Sequence, residues 1–235
     1  MGKPLGNQAI VVGAGIAGLA AAAALAGRFA KVTVLDRDAL PDEATVRMGV
    51  GQGAHAHQLL KAGEESLERL LPGITDDFYK AGAVGMRVGR DVLVYDFGGW
   101  MDECDAGFSV TSLSRPVYER ILRRRVAALP GVGIRSETDV RRYLVESGRC
   151  AGVELEDGSK LTADLLVDAT GMTGPLARQL VEDGHAVYES DHIKINVTYS
   201  TARFRQAGPH KGDGIRIYVL PAPPHTHFGF ILPIE

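Results

Sequence analysis

A short apolar run, Ala9-Ile10-Val11-Val12, ends in Gly13-Ala14-Gly15-Ile16-Ala17-Gly18, and an alanine-rich helical stretch follows at once. No other feature constrains the fold as much. The order strand, glycine turn, helix is what a dinucleotide site requires. Gly13 lets the chain turn sharply off the strand, and Gly15 lets backbone approach a pyrophosphate with no Cβ in the way. Gly18 lets the helix pack close to the sheet, while the helix N-terminus offers N–H groups to phosphate oxygens. Lys31-Val32-Thr33-Val34-Leu35-Asp36 then reads as the next strand, ending in an acid 23 residues after Gly13. An acid there can accept both hydroxyls of an adenosine ribose. Glycine turns alone are common, and the acid is what separates this stretch from an ordinary βαβ turn.

The 235 residues suit one large domain or one and a half smaller ones, and a formal charge of −3 gives no reason to expect nucleic acid. The densest basic cluster, Arg123-Arg124-Arg125, is read as a solvated helix face. No apolar run is long enough for a bilayer span, and the N-terminus lacks a signal-peptide pattern. Cys104 and Cys150 form neither a metal spacing nor a disulfide framework, so a cytoplasmic setting is expected.

Apolar periodicity predicts a strand near 7–12, a helix near 16–28 and a strand near 31–36. The glycine-rich stretch Arg47 to His57 reads as a loop entering a helix over His57–Leu71, which stops at Pro72-Gly73. Residues 84–112 suggest short antiparallel strands. Ser114-Arg115-Pro116 starts another helix, with Ser114 as a candidate N-cap. Strands are expected at 132–135, 140–145, 150–155 and 161–167, with Asp157-Gly158 as a hairpin turn, and a helix at 174–183. Long alternating strands at 194–206, 214–220 and 226–232 suggest a β-rich region beginning near 187. The expected organisation is α/β: a Rossmann-like nucleotide-binding domain over 1–186 and the beginning of a β-sheet substrate domain over 187–235.

Leu165-Leu166-Val167-Asp168-Ala169-Thr170-Gly171 is the second chemical signal. An acid at a strand end beside the nucleotide strand can accept from ribityl or ribose hydroxyls, and Gly171 permits close backbone approach. Asp168 could equally cap the helix that follows.

Taken together, Gly13–Gly18, Asp36, the Arg47 to His57 loop, Ser114-Arg115-Pro116 and Asp168-Ala169-Thr170-Gly171 occur in a familiar order. The chain resembles the FAD-dependent monooxygenases of the para-hydroxybenzoate hydroxylase-like superfamily, whose FAD domain is of the glutathione-reductase type. The Arg47-Met-Gly-Val-Gly-Gln-Gly-Ala-His-Ala-His57 loop looks like that of actinobacterial members, including polyketide epoxidases. The resemblance runs over essentially the whole chain. It implies that Gly13, Gly15 and Gly18 hold the FAD pyrophosphate, Asp36 the adenosine ribose, and Arg37 the adenine. Arg47 and Arg115 match arginines that face the flavin phosphates or ribityl chain, a task suited to a permanently charged planar fork. The backbone at Val140 matches the position that meets the adenine. Asp168 and Gly171 would face the ribityl side. Gln52, His55 and His57 are either polar residues at a helix start or side chains placed near the flavin ring. Two histidines two apart, with no third ligand nearby, do not make a metal site. Arg115 could also be an ordinary exposed first-turn residue. His210, His225 and His227 read as surface residues.

The resemblance further implies NADPH or NADH as reductant, O2 as co-substrate, and hydroxylation or epoxidation of a small organic molecule. No side chain stands out as general acid or base. A flavin reductase, dehydrogenase or halogenase is the alternative reaction, although a halogenase expects a W-x-W-x-I-P-type segment and the only tryptophan is Trp100. Three departures from the family pattern bear on completeness. The only Gly-Asp step, Gly212-Asp213, sits at the wrong point in the order for the second cofactor motif. Met172-Thr173-Gly174-Pro175 replaces the usual polar or arginine residues. Ile231 to Glu235 resembles a strand in mid-domain. The chain is therefore expected to be an N-terminal portion that holds the ADP half of the cofactor well and the flavin ring poorly alone. A non-catalytic FAD-binding module, a homo-oligomer or a second chain completing the fold are the corresponding assembly expectations.

Overall fold

In the computed structural model, which describes residues 4–172, 174–185, 189, 191, 193–205 and 216–235, the chain opens as a βαβ unit. Its elements are β1 (Gly6–Val12), α1 (Ile16–Leu25) and β2 (Phe29–Leu35). There follow β3 (Ala56–Leu59), α2 (Lys61–Leu70), α3 (Ile74–Lys80), β4 (Val84–Arg87), β5 (Leu93–Asp96), β6 (Gly99–Trp100) and β7 (Ser109–Ser114). Then come α4 (Arg115–Ala127), β8 (Val132–Arg135), β9 (Val140–Glu146), β10 (Arg149–Leu155), β11 (Lys160–Thr162), β12 (Leu165–Asp168) and α5 (Leu176–Glu182). β13 (Ile217–Val219) and β14 (Gly229–Ile231) close the order.

Two compact units are formed, Met1–Gly51 with Glu119–Thr198, and Gln52–Tyr118 with Tyr199–Glu235. The first carries an all-parallel sheet in the order β12-β1-β2-β8 and an antiparallel meander, β11-β10-β9. Parallel strands are covered on both faces, and β1 shows it: Ala9, Ile10 and Val11 are completely buried. Ile10, Val12 and Leu35 join Tyr143, Val153 and Leu155 of the meander in one apolar cluster. Alternation sends Ala9 and Val11 to the opposite face. The Asp164 carboxylate accepts from the backbone N–H of Asn7 at 2.7 Å and of Gln8 at 2.9 Å, pinning the entry to β12 beside β1. That is why the strand expected over 161–167 is two strands in two sheets.

The second unit holds the antiparallel sheet β3-β7-β4 and a mixed sheet, β14-β13-β5-β6, in which β13 runs parallel to β5. Residues 52–118 thus group with 199–235, whereas the sequence suggested a continuous 1–186. The expected boundary at 186/187 falls outside the described residues. His57, expected at a helix start, lies in β3. Pairing of Ala56–Leu59 with Ser114–Thr111 overrides the helical spacing of Leu59 and Leu60, and α2 starts at Lys61. No strand forms over the described residues 193–205. Ile193 and Ile195 are 88% and 73% exposed, because alternation marks a face without supplying a ladder partner. Among the described residues, no helix is long and apolar enough to cross a membrane.

Tyr143 is 1% exposed, and its hydroxyl lies near Asp168 without reaching hydrogen-bond geometry. Burial first, then the Asp168 carboxylate, pushes this phenol above its ordinary value of 10.0. Above about pH 10 the unfolded chain releases a proton that the folded chain keeps, so stability falls as pH rises, by about 1.4 kcal/mol per pH unit. Below that pH the group contributes no slope. Tyr143→Phe is expected to flatten the alkaline slope and to keep or raise stability at neutral pH. Urea melts on both sides of that pH test this, and an unchanged alkaline slope would refute it.

Candidate functional site

Val12 is in register with both Leu35 and Asp168, so three strand ends lie level at the carboxyl edge of the parallel sheet. Gly13, Asp36 and Asp168 are thereby brought to one edge, where ligands of open α/β sheets bind. Gly13 has φ +103°, and a Cβ on it would lie 2.6 Å from the Ala169 carbonyl oxygen. A Cβ on Gly18 would lie 1.8 Å from the Gly13 oxygen. These two glycines serve the protein's own packing. Gly15 differs, because a Cβ there would meet nothing within 4 Å. Gly15 is also the N-cap of α1, with no side-chain cap and no acid in the first turn. The start of the helix thus combines an uncapped N-terminus with open space beside its first residue, the setting of an anion site.

The Asp36 carboxylate is buried. Its Oδ2 accepts from the Ala14 N–H at 2.6 Å, and its Oδ1 from the Asp38 N–H at 2.9 Å. A carboxylate has about four lone-pair sites, and with Arg47 Nη1 at 3.5 Å from Oδ1 three are taken, so capacity remains for one ribose hydroxyl. Arg37 follows as an exposed residue. Val140 opens β9, pairs with Leu155 and packs its side chain against the Ile10 cluster. Asp168 Oδ1 accepts from the Thr170 N–H at 2.9 Å and from the Thr170 hydroxyl. It does not cap the next helix, since α5 begins at Leu176 after Pro175 with no side-chain cap. Gly171 has φ +86° and, like Gly15, open space where a Cβ would stand.

Arg47 is buried within a ring of acids. Glu119 Oε2 accepts from its Nε at 3.2 Å and its Nη2 at 2.8 Å. Asp38 Oδ2 accepts from Nη1 at 3.2 Å and Asp36 Oδ1 at 3.5 Å. Burial works against the charge, but Glu119, Asp36 and Asp38 outweigh it and hold the guanidinium pKa above its ordinary value. Glu119 was not foreseen. Its one sequence signal is a lone acid among Val117, Tyr118, Ile121 and Leu122 on a helix, the setting of a buried charge. Arg123, expected on a solvated face, is buried and donates to the Pro41 carbonyl. The helical period puts it one turn from Glu119, on the covered side, while Arg124 is exposed.

The second unit contains the remaining candidates. Gln52 is exposed, and its carbonyl accepts from the His55 N–H at 3.1 Å. His57 Nε2 lies 3.4 Å from Arg115 Nη1, and His55 Nδ1 lies 2.8 Å from the Thr201 hydroxyl. Arg115 is half-buried at the start of α4. The Ser114 hydroxyl, expected as a cap, donates to Glu235. His225 and His227 are exposed; His210, Thr173 and Gly212-Asp213 lie outside the described residues. Among the described residues, no three His, Cys, Asp or Glu side chains gather as a metal site.

Residues 8–94 match the family described as FAD dependent oxidoreductase, and residues 108–194 match tryptophan halogenase. Protein Rv3254 of Mycobacterium tuberculosis is 32% identical over 218 residues, covering 85% of this chain and 45% of that one. The chloroplastic zeaxanthin epoxidase of Oryza sativa subsp. japonica is 28% identical over 190 residues, covering 77% of this chain and 27% of that one. Among solved structures, PqsL of Pseudomonas aeruginosa, described as a probable FAD-dependent monooxygenase, superposes with a TM-score of 0.60. At 17% identity, covering 75% of this chain and 46% of that one, it shows a shared fold. The chain thus spans less than half the length of each of these proteins.

Proposed function

We propose that this chain belongs to the FAD-dependent oxidoreductases and is the cofactor-binding part of a flavin monooxygenase. The observation that carries the reading is the open cradle at Gly15. It lies at the uncapped N-terminus of α1, where Asp36 follows β2 and Asp168 ends β12, the two strands that flank β1. The donor set fits an adenine dinucleotide. Backbone N–H groups suit the pyrophosphate, Asp36 the adenosine ribose, and Arg37 and the Val140 backbone the adenine. Asp168 and the open Gly171 suit the ribityl chain. Gln52 and Arg115 belong to this proposal as flavin-side residues.

Bound FAD would supply the redox chemistry, in which two electrons from NADPH or NADH reduce O2 and one oxygen atom enters a small organic or polyketide substrate as a hydroxyl or epoxide, the other leaving as water. This chain's residues bind and orient the dinucleotide, fix its ribose and exclude water at the sheet edge. The zeaxanthin epoxidase relative supports the epoxidation form. The tryptophan halogenase match covers β7, α4, β8 to β12 and α5, mostly elements of the nucleotide unit, and so supports the flavin without choosing the reaction. A cytoplasmic setting is part of the same reading.

Purified protein is expected to take up FAD with quenching of flavin fluorescence and a rise in melting temperature, as any ligand of the folded state produces. Asp36→Asn and Asp168→Asn should each weaken that binding by about tenfold, the value of a hydrogen bond to a charged group. Protein that leaves FAD fluorescence and its own melting temperature unchanged would sink the reading. Oxygen uptake with NADPH and candidate alkenes separates oxygenation from reduction.

A further inference from the structure

The geometry points to Arg47 as a positioning residue, acting on the nucleotide through Asp36 and the glycine loop in place of a direct phosphate contact. The inference rests on the FAD reading above. A guanidinium has five N–H donors in a fixed fork, and five contacts to protein acceptors surround this one. Nε and Nη2 serve Glu119, Nη1 serves Asp36 and Asp38, and Nη2 also reaches the Ala14 carbonyl at 3.5 Å. The side chain is 6% exposed. A phosphate ligand would need a donor turned outward. A phosphate would also have to approach past three carboxylates, those of Asp36, Asp38 and Glu119.

The same contacts close a ring. Arg47 Nη1 donates to Asp36 Oδ1, Ala14 N–H donates to Asp36 Oδ2 at 2.6 Å, and Arg47 Nη2 donates to the Ala14 oxygen. Ala14 lies between Gly13 and Gly15. One side chain therefore fixes the ribose acid against the turn that faces the pyrophosphate. Glu119, reaching in from α4, holds that side chain by its Nε and Nη2 edge. Asp38 Oδ2 also accepts from the Gly49 N–H at 3.0 Å, tying down the segment that carries Arg47.

The test compares ADP with 2′-deoxy-ADP, which lacks a ribose hydroxyl that Asp36 would accept. Binding to the full chain is read by calorimetry. Wild-type protein is expected to prefer ADP by about tenfold. Arg47→Met should weaken ADP binding and bring that preference towards one, because Asp36 loses its orientation. Should Arg47→Met fail to fold, Glu119→Gln is a near-isosteric second variant. Positioning predicts that it also weakens ADP binding and narrows the preference. A direct phosphate contact predicts the reverse, since release from Glu119 would free the guanidinium and leave ADP binding equal or tighter. It also predicts an unaltered preference in Arg47→Met. Either of those results overturns the inference and leaves the FAD reading standing. Wild-type protein that binds neither FAD nor ADP overturns both.

Discussion

Gly15→Ala is expected to strip the protein of FAD without loosening its fold. At φ −74° and ψ −178°, Gly15 sits in extended backbone open to any residue, and its added methyl meets no atom within 4 Å. Replacing a glycine at such a place gains about 0.4–1 kcal/mol by restricting the unfolded chain, which offsets the poorer fit of alanine as the N-cap of α1. The melting temperature without cofactor should therefore stay close to the wild-type value. With cofactor, the methyl stands where the pyrophosphate must approach. The cost of inserting it there, about 1–3 kcal/mol, weakens binding by roughly 10- to 100-fold. Gly18→Ala should show the opposite order of effects. Its Cβ would fall 1.8 Å from the Gly13 oxygen, backbone that cannot turn aside, so the loop or α1 must shift and stability is lost before any ligand is added. Thermal melts of both variants with and without FAD separate the two roles. Stoichiometric flavin retention by Gly15→Ala would remove the basis for placing the pyrophosphate there.

The contrast between those glycines shows where sequence reading succeeds. A G-x-G-x-x-G loop between two strands and an acid 23 residues on prescribes backbone events that depend on local chain geometry. The structure realises them: Gly13 has positive φ, Gly18 makes the close approach, and Asp36 follows β2 directly. The open space at Gly15 and the close contacts at Gly13 and Gly18 follow from the same local geometry. What was not legible depends on partners distant in the chain. His57 is drawn into β3 because Leu113 lies opposite it, a pairing that no local period reveals. Arg123 looks like a surface charge in a helical stretch until Pro41 arrives from another segment, and nothing near Glu119 in the sequence announces Arg47 as its partner. Ile193 and Ile195 alternate like strand residues, yet alternation supplies no neighbouring ladder. The acid ring around Arg47 assembles residues 36, 38, 47 and 119, and only the first pair is close enough in sequence to suggest it.

That ring carries the second large effect. Arg47→Met is expected to cost about 3–5 kcal/mol of stability, because it leaves a buried cluster of carboxylates without its cation. Three acids face the vacated site, and their side chains are only 5–17% exposed, so water cannot take over the guanidinium's role cheaply. The neighbouring cation does not replace it, because the Arg123 guanidinium is committed to the Pro41 carbonyl. Glu119→Gln should cost less, since a neutral amide keeps an acceptor for the fork. Combining Arg47→Met with Glu119→Gln should cost less than the sum of the two, by about 0.5–3 kcal/mol, the range for groups in one network. Salt distinguishes this from a surface pair. Screening acts on exposed charges and little on buried ones, so the loss should be nearly the same at low and high ionic strength. Urea melts of the four proteins at two salt concentrations give all these quantities. A cost below about 1 kcal/mol, the usual value of an exposed ion pair, would mean that the acids around Arg47 are solvated and the ring does not fix the loop.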